Sequence, residues 1–406
     1  MNFKDFNFKP RIISQLEKMG FETPTPIQEQ AIPIVLAGKD VMGLAQTGTG
    51  KTAAFALPII EKLSAVGSKK KTRALIIAPT RELAEQINQA INEFGKYMGL
   101  SSIAIYGGVG YNKQESRLKQ GVDIIVACPG RLLDYLDKKK IDLSFLETLV
   151  LDEADHMFDM GFLPTIRKIL RYAKNRKQTL LFSATMPKDI KQLAQETLNN
   201  PTTIEIQIEE KLSTVKHAIY PVSQHLKTKL LFEVIKETDT RSILIFTRTK
   251  HRAKGLDKKL QDKGYTSTSL QGNLSQNRRQ KAIEGFKKGK YQIMVATDIA
   301  ARGIDVSTVS HVINFDIPDT TDTYTHRIGR TGRAERTGDA FTFVTNEDAA
   351  QIKLIERKLG EEIERKYIEG FRYLDVVRNK KMEKTNFKKP YKKYFKKSND
   401  KRTDTK

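Results

Sequence analysis

A chain of 406 residues is long enough for two domains of ordinary size, each burying its own core. Its formal charge of +23 favours a polyanionic partner such as nucleic acid over an acidic small molecule. A single cysteine excludes an intrachain disulfide, the six histidines show no metal-ligand spacing, and no apolar run approaches the ~18 residues of a membrane span, so the expectation is a cytoplasmic protein without membrane contact or structural zinc.

In chain order, residues 11 to 19 place Ile12, Ile13, Leu16 and Met19 on one helical face. Gly20-Phe21 ends that helix, Pro24 and Pro26 stiffen the turn, and a second helix follows from Gln28. Next comes Ala45-Gln46-Thr47-Gly48-Thr49-Gly50-Lys51-Thr52. Gly48 and Gly50 carry no Cβ, so several amides of this loop can turn toward one anion. Lys51 supplies a charge for the β and γ phosphates, and the Thr52 hydroxyl is placed to hold Mg²⁺ at the start of the following helix. The stretch keeps P-loop spacing, although Ala45 stands where a leading glycine is usual, and by itself it also reads as a glycine-rich surface turn.

The first half continues as short apolar strands alternating with amphipathic helices. Strands are expected at Ala74 to Ala78, Ile103 to Tyr106, Asp123 to Ala127, Thr148 to Leu151, Thr179 to Phe182 and Thr203 to Ile208. Such alternation argues for a parallel sheet covered on both faces. The strand at Leu149-Val150-Leu151 runs into Asp152-Glu153-Ala154-Asp155. A carboxylate at the end of a parallel strand beside a P-loop is where Mg²⁺ bound to a nucleotide needs an acidic ligand, a role that falls to Asp152. Glu153 is the candidate to orient and deprotonate the attacking water, and without the P-loop the same four residues read as a solvated acidic turn.

The periodicity pauses at 209–216, a polar stretch taken as a linker, and then resumes. Second-half strands are expected at Ile219 to Val222, Ser242 to Thr247, Gln292 to Ala296, His311 to Phe315 and Ala340 to Val344, with helices such as Leu226 to Lys236 and Asn277 to Lys288 between them. This half has no Gly-Lys-Thr of its own, so nucleotide binds to the first half or between the two. Past Phe371 the apolar pattern fades, and residues 378–406 carry a net +10 with Phe387, Tyr391, Tyr394 and Phe395 interleaved. Such a tail can neutralise phosphates and stack bases, or serve as a solvated, disordered segment.

These residues together resemble the DEAD-box ATP-dependent RNA helicases over roughly Phe3 to Gly370, with the motifs in family order. The resemblance implies two tandem RecA-like α/β domains with parallel sheets, at 1–208 and 217–370, followed by the basic tail at 371–406. Phe3, Phe21 and Gln28 match the adenine-recognising Q motif, in which an amide can pair with the base edge while an aromatic ring covers its face. Pro79-Thr80-Arg81, Gly107-Gly108 and Pro129-Gly130-Arg131 match RNA-contact motifs of the first domain, with Cys128 replacing the family's usual threonine. Thr249, Gly272, Arg279 and Thr297 are the corresponding RNA contacts of the second. Ser183, Thr185, Asp155 and His326 are implied to couple nucleotide state to RNA, while Gly303 and Asp305 face the ATP.

Arg330 and Arg333, three apart in His326-Arg327-Ile328-Gly329-Arg330-Thr331-Gly332-Arg333, are the expected arginine fingers. Residues 246 to 251 and the short tail are similar to the bacterial RhlE-like subgroup. The expected activity is ATP hydrolysis stimulated by single-stranded RNA and coupled to local unwinding of short duplexes, with ATP and Mg²⁺ as ligands. Ribosomal precursors and mRNA-turnover proteins are candidate partners. Two other readings stay open at this point: a non-catalytic, ATP-gated RNA clamp or annealing factor, and a DNA helicase.

Overall fold

The computed structural model describes residues 1–46, 48–68, 70–206, 215–238, 242–301, 309–331 and 338–373. The first half contains β1 (Val41–Leu44), β2 (Ala74–Ile77), β3 (Ser102–Ile105), β4 (Ile124–Ala127), β5 (Thr148–Leu151), β6 (Gln178–Ser183) and β7 (Thr202–Glu205). They form one parallel sheet in the order β3-β4-β2-β5-β6-β1-β7. The second half contains β8 (Val215–Pro221), β9 (Ile243–Phe246), β10 (Ser267–Leu270), β11 (Ile293–Ala296), β12 (His311–Asn314), β13 (Gly338–Val344) and β14 (Glu364–Arg365). Their order, β10-β11-β9-β12-β13-β8-β14, is the first order advanced by seven strands, again all parallel. One architecture therefore occurs twice in the chain.

Every residue of β2, β3, β4, β5 and β6 is buried, as sheets covered by helices on both faces require. Side chains from alternate positions feed two cores. Ile76, Val126, Val150 and Phe182 pack with the helices at Pro26–Leu36 and Lys51–Ala65. Leu75, Ile125, Leu149 and Leu181 pack on the other face with the helices at Pro129–Asp137 and Leu163–Tyr172.

Three strands have no counterpart among the expected ones. β1 is a four-residue strand interrupted by Gly43, a residue that normally argues against a strand interior. Its reason is packing: a Cβ there would lie 2.5 Å from the Phe182 ring on neighbouring β6. β10 is rich in hydroxyls, yet it buries Ser267 because that hydroxyl donates to Asp257 Oδ1 at 2.6 Å. β14 is a two-residue edge strand beside β8. The expected linker also needs correction at its end, because Val215 and Lys216 pair with Gly338 and Asp339 inside the second sheet. The rest of that linker, 209–214, and the tail from 374 onward lie outside the described residues.

Arg73, just before β2, is fully buried and donates to Asp123 Oδ1 at 3.1 Å and to the carbonyls of Leu63 and Gly67. Asp123 also accepts from Ser68 and Ser101, so one buried charge pair ties the entries of β2, β3 and β4. Removing one partner leaves the other charged and dry. Arg73→Ala is expected to cost about 3–5 kcal/mol, read as a lowered urea midpoint for the first domain; a loss under about 1 kcal/mol would show the pair to be dispensable.

Candidate functional site

Because β1 lies beside β6 and β6 beside β5, the segments that leave their carboxyl ends emerge side by side. These are 45–52, 152–155 and 183–185, the position at which open α/β sheets bind ligands. The Ala45 amide donates to the Ser183 carbonyl, which fixes the first segment to the third. Gly48 and Gly50 take φ of 88° and 92°, a left-handed conformation that bends the loop into a cradle. Lys51 opens the helix Lys51–Ala65, is buried, and donates from Nζ to the Ala45 carbonyl at 2.8 Å, so the ammonium spans the cradle. Thr49 Oγ1 donates to the Gln46 carbonyl, and Thr52 sits half-buried in the first helical turn. Thr47 lies outside the described residues.

The residues expected to read adenine are arranged differently from the expectation. Gln28 Oε1 accepts from the Thr25 amide at 2.9 Å and Nε2 donates to the Gly50 carbonyl at 3.1 Å, so both ends of the amide are engaged within the protein. Thr25 Oγ1 also donates to the Thr49 carbonyl, and together these bonds strut the P-loop. Phe3 is corrected more sharply. Its ring is 2 % exposed, packed edge-on against Phe6 and Phe21, and belongs to the core rather than to a face open to a base. Phe21 is half-buried against Phe94 and is the ring left at the surface.

Asp152, Glu153 and Asp155 are all buried beyond β5. Glu153 caps the helix Ala154–Asp159 with φ 51°, a strained conformation for a glutamate of the kind held at functional sites. Its Oε2 accepts from His156 Nδ1 at 2.9 Å. Burial works to raise the Glu153 carboxyl, but the His156 hydrogen bond, with the Lys51 and Arg330 charges, outweighs it and holds the group ionised. Asp152 goes the other way. Burial pushes it up, Lys51 opposes, and the neighbouring Glu153 adds to the rise. A buried carboxylate held by one ammonium is short of positive charge, and Asp152 with the Thr52 hydroxyl offers the hard oxygens that Mg²⁺ takes alongside nucleotide phosphates. The residues present therefore fit Mg²⁺, although no group of three or more His, Cys, Asp or Glu able to hold a metal by itself occurs among the described residues.

Asp155 gathers Ser183 and Thr185, two of the residues expected to couple nucleotide to RNA, into one knot. Its Oδ2 accepts from the Ala184 amide, the Thr185 amide and Thr185 Oγ1 at 3.1, 2.9 and 3.1 Å, while its own amide donates to Ser183 Oγ. His326 approaches from the second domain. Its ring lies edge-on to His156, centroids 5.4 Å apart, so the second domain meets the acidic segment through a histidine that the motif reading passed over.

A crevice between the halves is lined by His156 on one side and by Phe246, Asp298, Thr323, His326 and Arg330 on the other. Arg330 is buried, and its charge reaches Glu153. It is held there by Arg327, which was not assigned a role. The Arg327 fork donates to both oxygens of Asp298 at 2.6 Å, to Asn314 Oδ1 and to the Asp316 carbonyl, fixing the helix Thr321–Ile328 that delivers Arg330. Arg333, Gly303 and Asp305 lie outside the described residues.

The expected RNA-contact residues stand at strand ends and helix starts. Pro79 precedes Thr80, which caps the helix Arg81–Phe94. Arg81 lies so close over Gly108, beside Gly107, that a Cβ on Gly108 would come 2.2 Å from its guanidinium. Pro129 and Gly130 open the helix Pro129–Asp137, preceded by Cys128, whose side chain caps nothing. Arg131 donates to the Val109 carbonyl and stacks 4.0 Å over Tyr111. In the second half, Thr249 caps the helix Lys250–Asp262, Gly272 lies in the turn after β10, and Thr297 follows β11. Arg279 is placed elsewhere than expected. Its Nε donates to Glu82 Oε1 of the first half at 2.7 Å, Gln276 Nε2 donates to the same oxygen, and Arg81 donates to Gln276 Oε1. Glu82 and Gln276 thus form an interdomain joint that sequence reasoning did not assign. Each stands beside an expected RNA-contact residue, Glu82 next to Arg81 and Gln276 three before Arg279, but their pairing spans 194 residues.

Two parallel sheets of one strand order, with a P-loop at the carboxyl edge of the first and an arginine from the second facing its acidic segment, define a P-loop NTPase of two RecA-like domains. The DEAD/DEAH box helicase family matches residues 25–193, and the helicase conserved C-terminal domain matches residues 226–335. The chain is 40% identical over 366 residues to the DEAD-box ATP-dependent RNA helicase CshA of Bacillus subtilis, covering 90% of this chain and 74% of CshA. It is 42% identical to the DEAD-box ATP-dependent RNA helicase RhpA of Helicobacter pylori over 364 residues, 89% of this chain and 73% of RhpA. Among solved structures, S. cerevisiae Dbp5 bound to RNA and ADP BeF3 superposes with a TM-score of 0.81 at 32% identity, covering 90% of this chain and 95% of that one. The chain belongs to the DEAD-box ATP-dependent RNA helicases: it uses ATP, RNA is its partner, and its activity is RNA-dependent ATP hydrolysis. These names fix the family and not the RhlE-like subgroup. Among the described residues no helix is long and apolar enough to cross a membrane.

Proposed function

We propose that this helicase works in the cytoplasm by closing its two domains, the first at 1–208 and the second beginning at Val215 and running to 370, around ATP and single-stranded RNA, and that closure completes the hydrolytic site. The observation that carries the reading is Arg330 of the second domain buried at the interface with its charge on Glu153 of the first. The Glu82–Arg279 ion pair seals the same interface. The resemblance to Dbp5 agrees: the TM-score is 0.81 to its RNA- and ADP BeF3-bound form, and 0.63 to the form bound to Nup159, Gle1, IP6 and ADP.

In this reading the loop amides and Lys51 hold the phosphates, Phe21 lies at the adenine end with Gln28 bracing the loop beside it, and Thr52 and Asp152 would hold Mg²⁺. The ion would neutralise charge between the phosphates when bound. Glu153 orients the attacking water and takes its proton, and Arg330, with Arg333, neutralises charge developing on the γ-phosphate. The knot of Asp155, Ser183 and Thr185 links that site to the loops at 79–81, 107–108, 129–131, 249, 272 and 297, which hold RNA phosphate and sugar with little sequence preference. A strand bent between two half-sites cannot stay paired, so short duplexes open locally, and hydrolysis releases the strand. The 2′-hydroxyl is the group that distinguishes RNA from DNA.

The test is ATP hydrolysis with and without single-stranded RNA, with DNA as control and a chain truncated after Gly370 alongside. Stimulation by RNA alone, retained in the truncated chain, places the activity in the two domains and leaves the tail as an affinity device. RNA binding without stimulated turnover would instead identify an ATP-gated clamp.

A further inference from the structure

The residue that follows the acidic motif, His156, has a position that none of the roles above uses. It is 3 % exposed, on the first-domain helix Ala154–Asp159, one turn beyond Glu153. Its Nδ1 lies 2.9 Å from Glu153 Oε2. A carboxylate oxygen can only accept, so Nδ1 carries the proton and donates. The ring also meets the opposite domain: the His326 ring approaches it at an interplanar angle of 85° with centroids 5.4 Å apart. One imidazole therefore holds the carboxylate of Glu153 and is itself braced by the second domain.

Glu153 needs such a brace. Its backbone sits at φ 51°, outside the helix it caps. The amide of Glu153 donates to Asp152 Oδ1, which orients the backbone of the segment and leaves the Glu153 side chain to other partners. The His156 bond is directional and sets where the Oε2 oxygen of that carboxylate points.

We propose that His156 is a positioning residue for hydrolysis: it fixes the Glu153 carboxylate in its working orientation, and His326 of the closing second domain fixes His156. The inference rests on Glu153 being the group that handles the attacking water. Domain closure then does more than deliver an arginine; it also stiffens the acid of the first domain. The demand is geometric, because a base displaced by about 1 Å loses on the order of 100-fold in rate.

The experiment compares His156→Asn, His156→Phe and His156→Ala in the full chain, with Glu153→Gln as reference, reading kcat and KM for ATP with saturating single-stranded RNA and RNA affinity separately. Asparagine places its amide nitrogen where ring Nδ1 stands, and phenylalanine keeps a ring against His326 without a donor. Expected are a kcat lowered on the order of 10- to 100-fold in His156→Ala and His156→Phe, most of the rate restored in His156→Asn, and KM and RNA affinity within about threefold of the parent throughout. His156→Phe turning over like the parent, or His156→Asn no faster than His156→Phe, would overturn the proposal and leave the ring as packing. Asparagine and phenylalanine fill the site, so the comparison stands even if alanine fails to fold. Glu153→Gln retaining full turnover would point to a different failure, that of the assignment of Glu153.

Discussion

Glu153→Gln is expected to lower RNA-stimulated ATP turnover by about 10²- to 10⁴-fold, the usual contribution of a positioned general base. The substitution removes charge and little else. Glutamine has the shape of glutamate, its amide oxygen can still accept from His156 Nδ1, and its backbone meets the same strain at φ 51°. Phosphate binding by the loop at 45–52 and by Lys51 should therefore persist, with ATP affinity within a few-fold of the parent and RNA still bound in the presence of ATP. The measurement is steady-state phosphate release with RNA, paired with equilibrium binding of a fluorescent ATP analogue. Turnover within tenfold of the parent would remove Glu153 from the role of base.

Arg330→Ala is expected to cost about 10³- to 10⁵-fold in the same assay, the range found for arginine fingers. Arg330 is buried at the domain boundary with its charge directed at Glu153, and the bidentate Arg327–Asp298 pair holds the helix end from which it projects. Arg330→Lys should restore little, because an ammonium cannot reproduce the planar fork. The loss should appear in kcat while ATP binding to the first domain stays near the parent value, since the cradle does not include Arg330. A variant that still hydrolysed ATP at a tenth of the parent rate would shift the finger to Arg333 alone.

What could be read from the chain follows from how local each demand is. Phosphate binding requires glycines, a lysine and a hydroxyl in one short loop, so Gly48, Gly50, Lys51 and Thr52 are visible without a fold. The acidic segment is visible because apolar β5 leads straight into it. β1 was not, because Gly43 looks like a breaker until Phe182 from a strand about 140 residues away is seen to occupy the space of its side chain. Phe3 and Gln28 illustrate the converse. Both stand where an adenine site is expected, yet the N-terminal segment packs the Phe3 ring into the core, and Gln28 closes a capping box with Thr25 while bracing Gly50. Glu82 and Gln276 escaped because each acquires its role from a partner in the other domain, and the brace that His326 gives His156 is of the same kind; no local pattern reports a contact across 170 or more residues.

Cys128 has a practical consequence. It is 9 % exposed, and burial, aided by the charge of Glu82, pushes its thiol up to about 12. At neutral pH almost none of it is thiolate, the form that reacts with maleimides and iodoacetamides. The natural chain is thus nearly silent toward thiol-directed dyes without removing its one cysteine. A cysteine introduced on the outer surface of each domain can then carry a donor and an acceptor fluorophore, so that opening and closing are followed as a distance, molecule by molecule, while ATP is turned over.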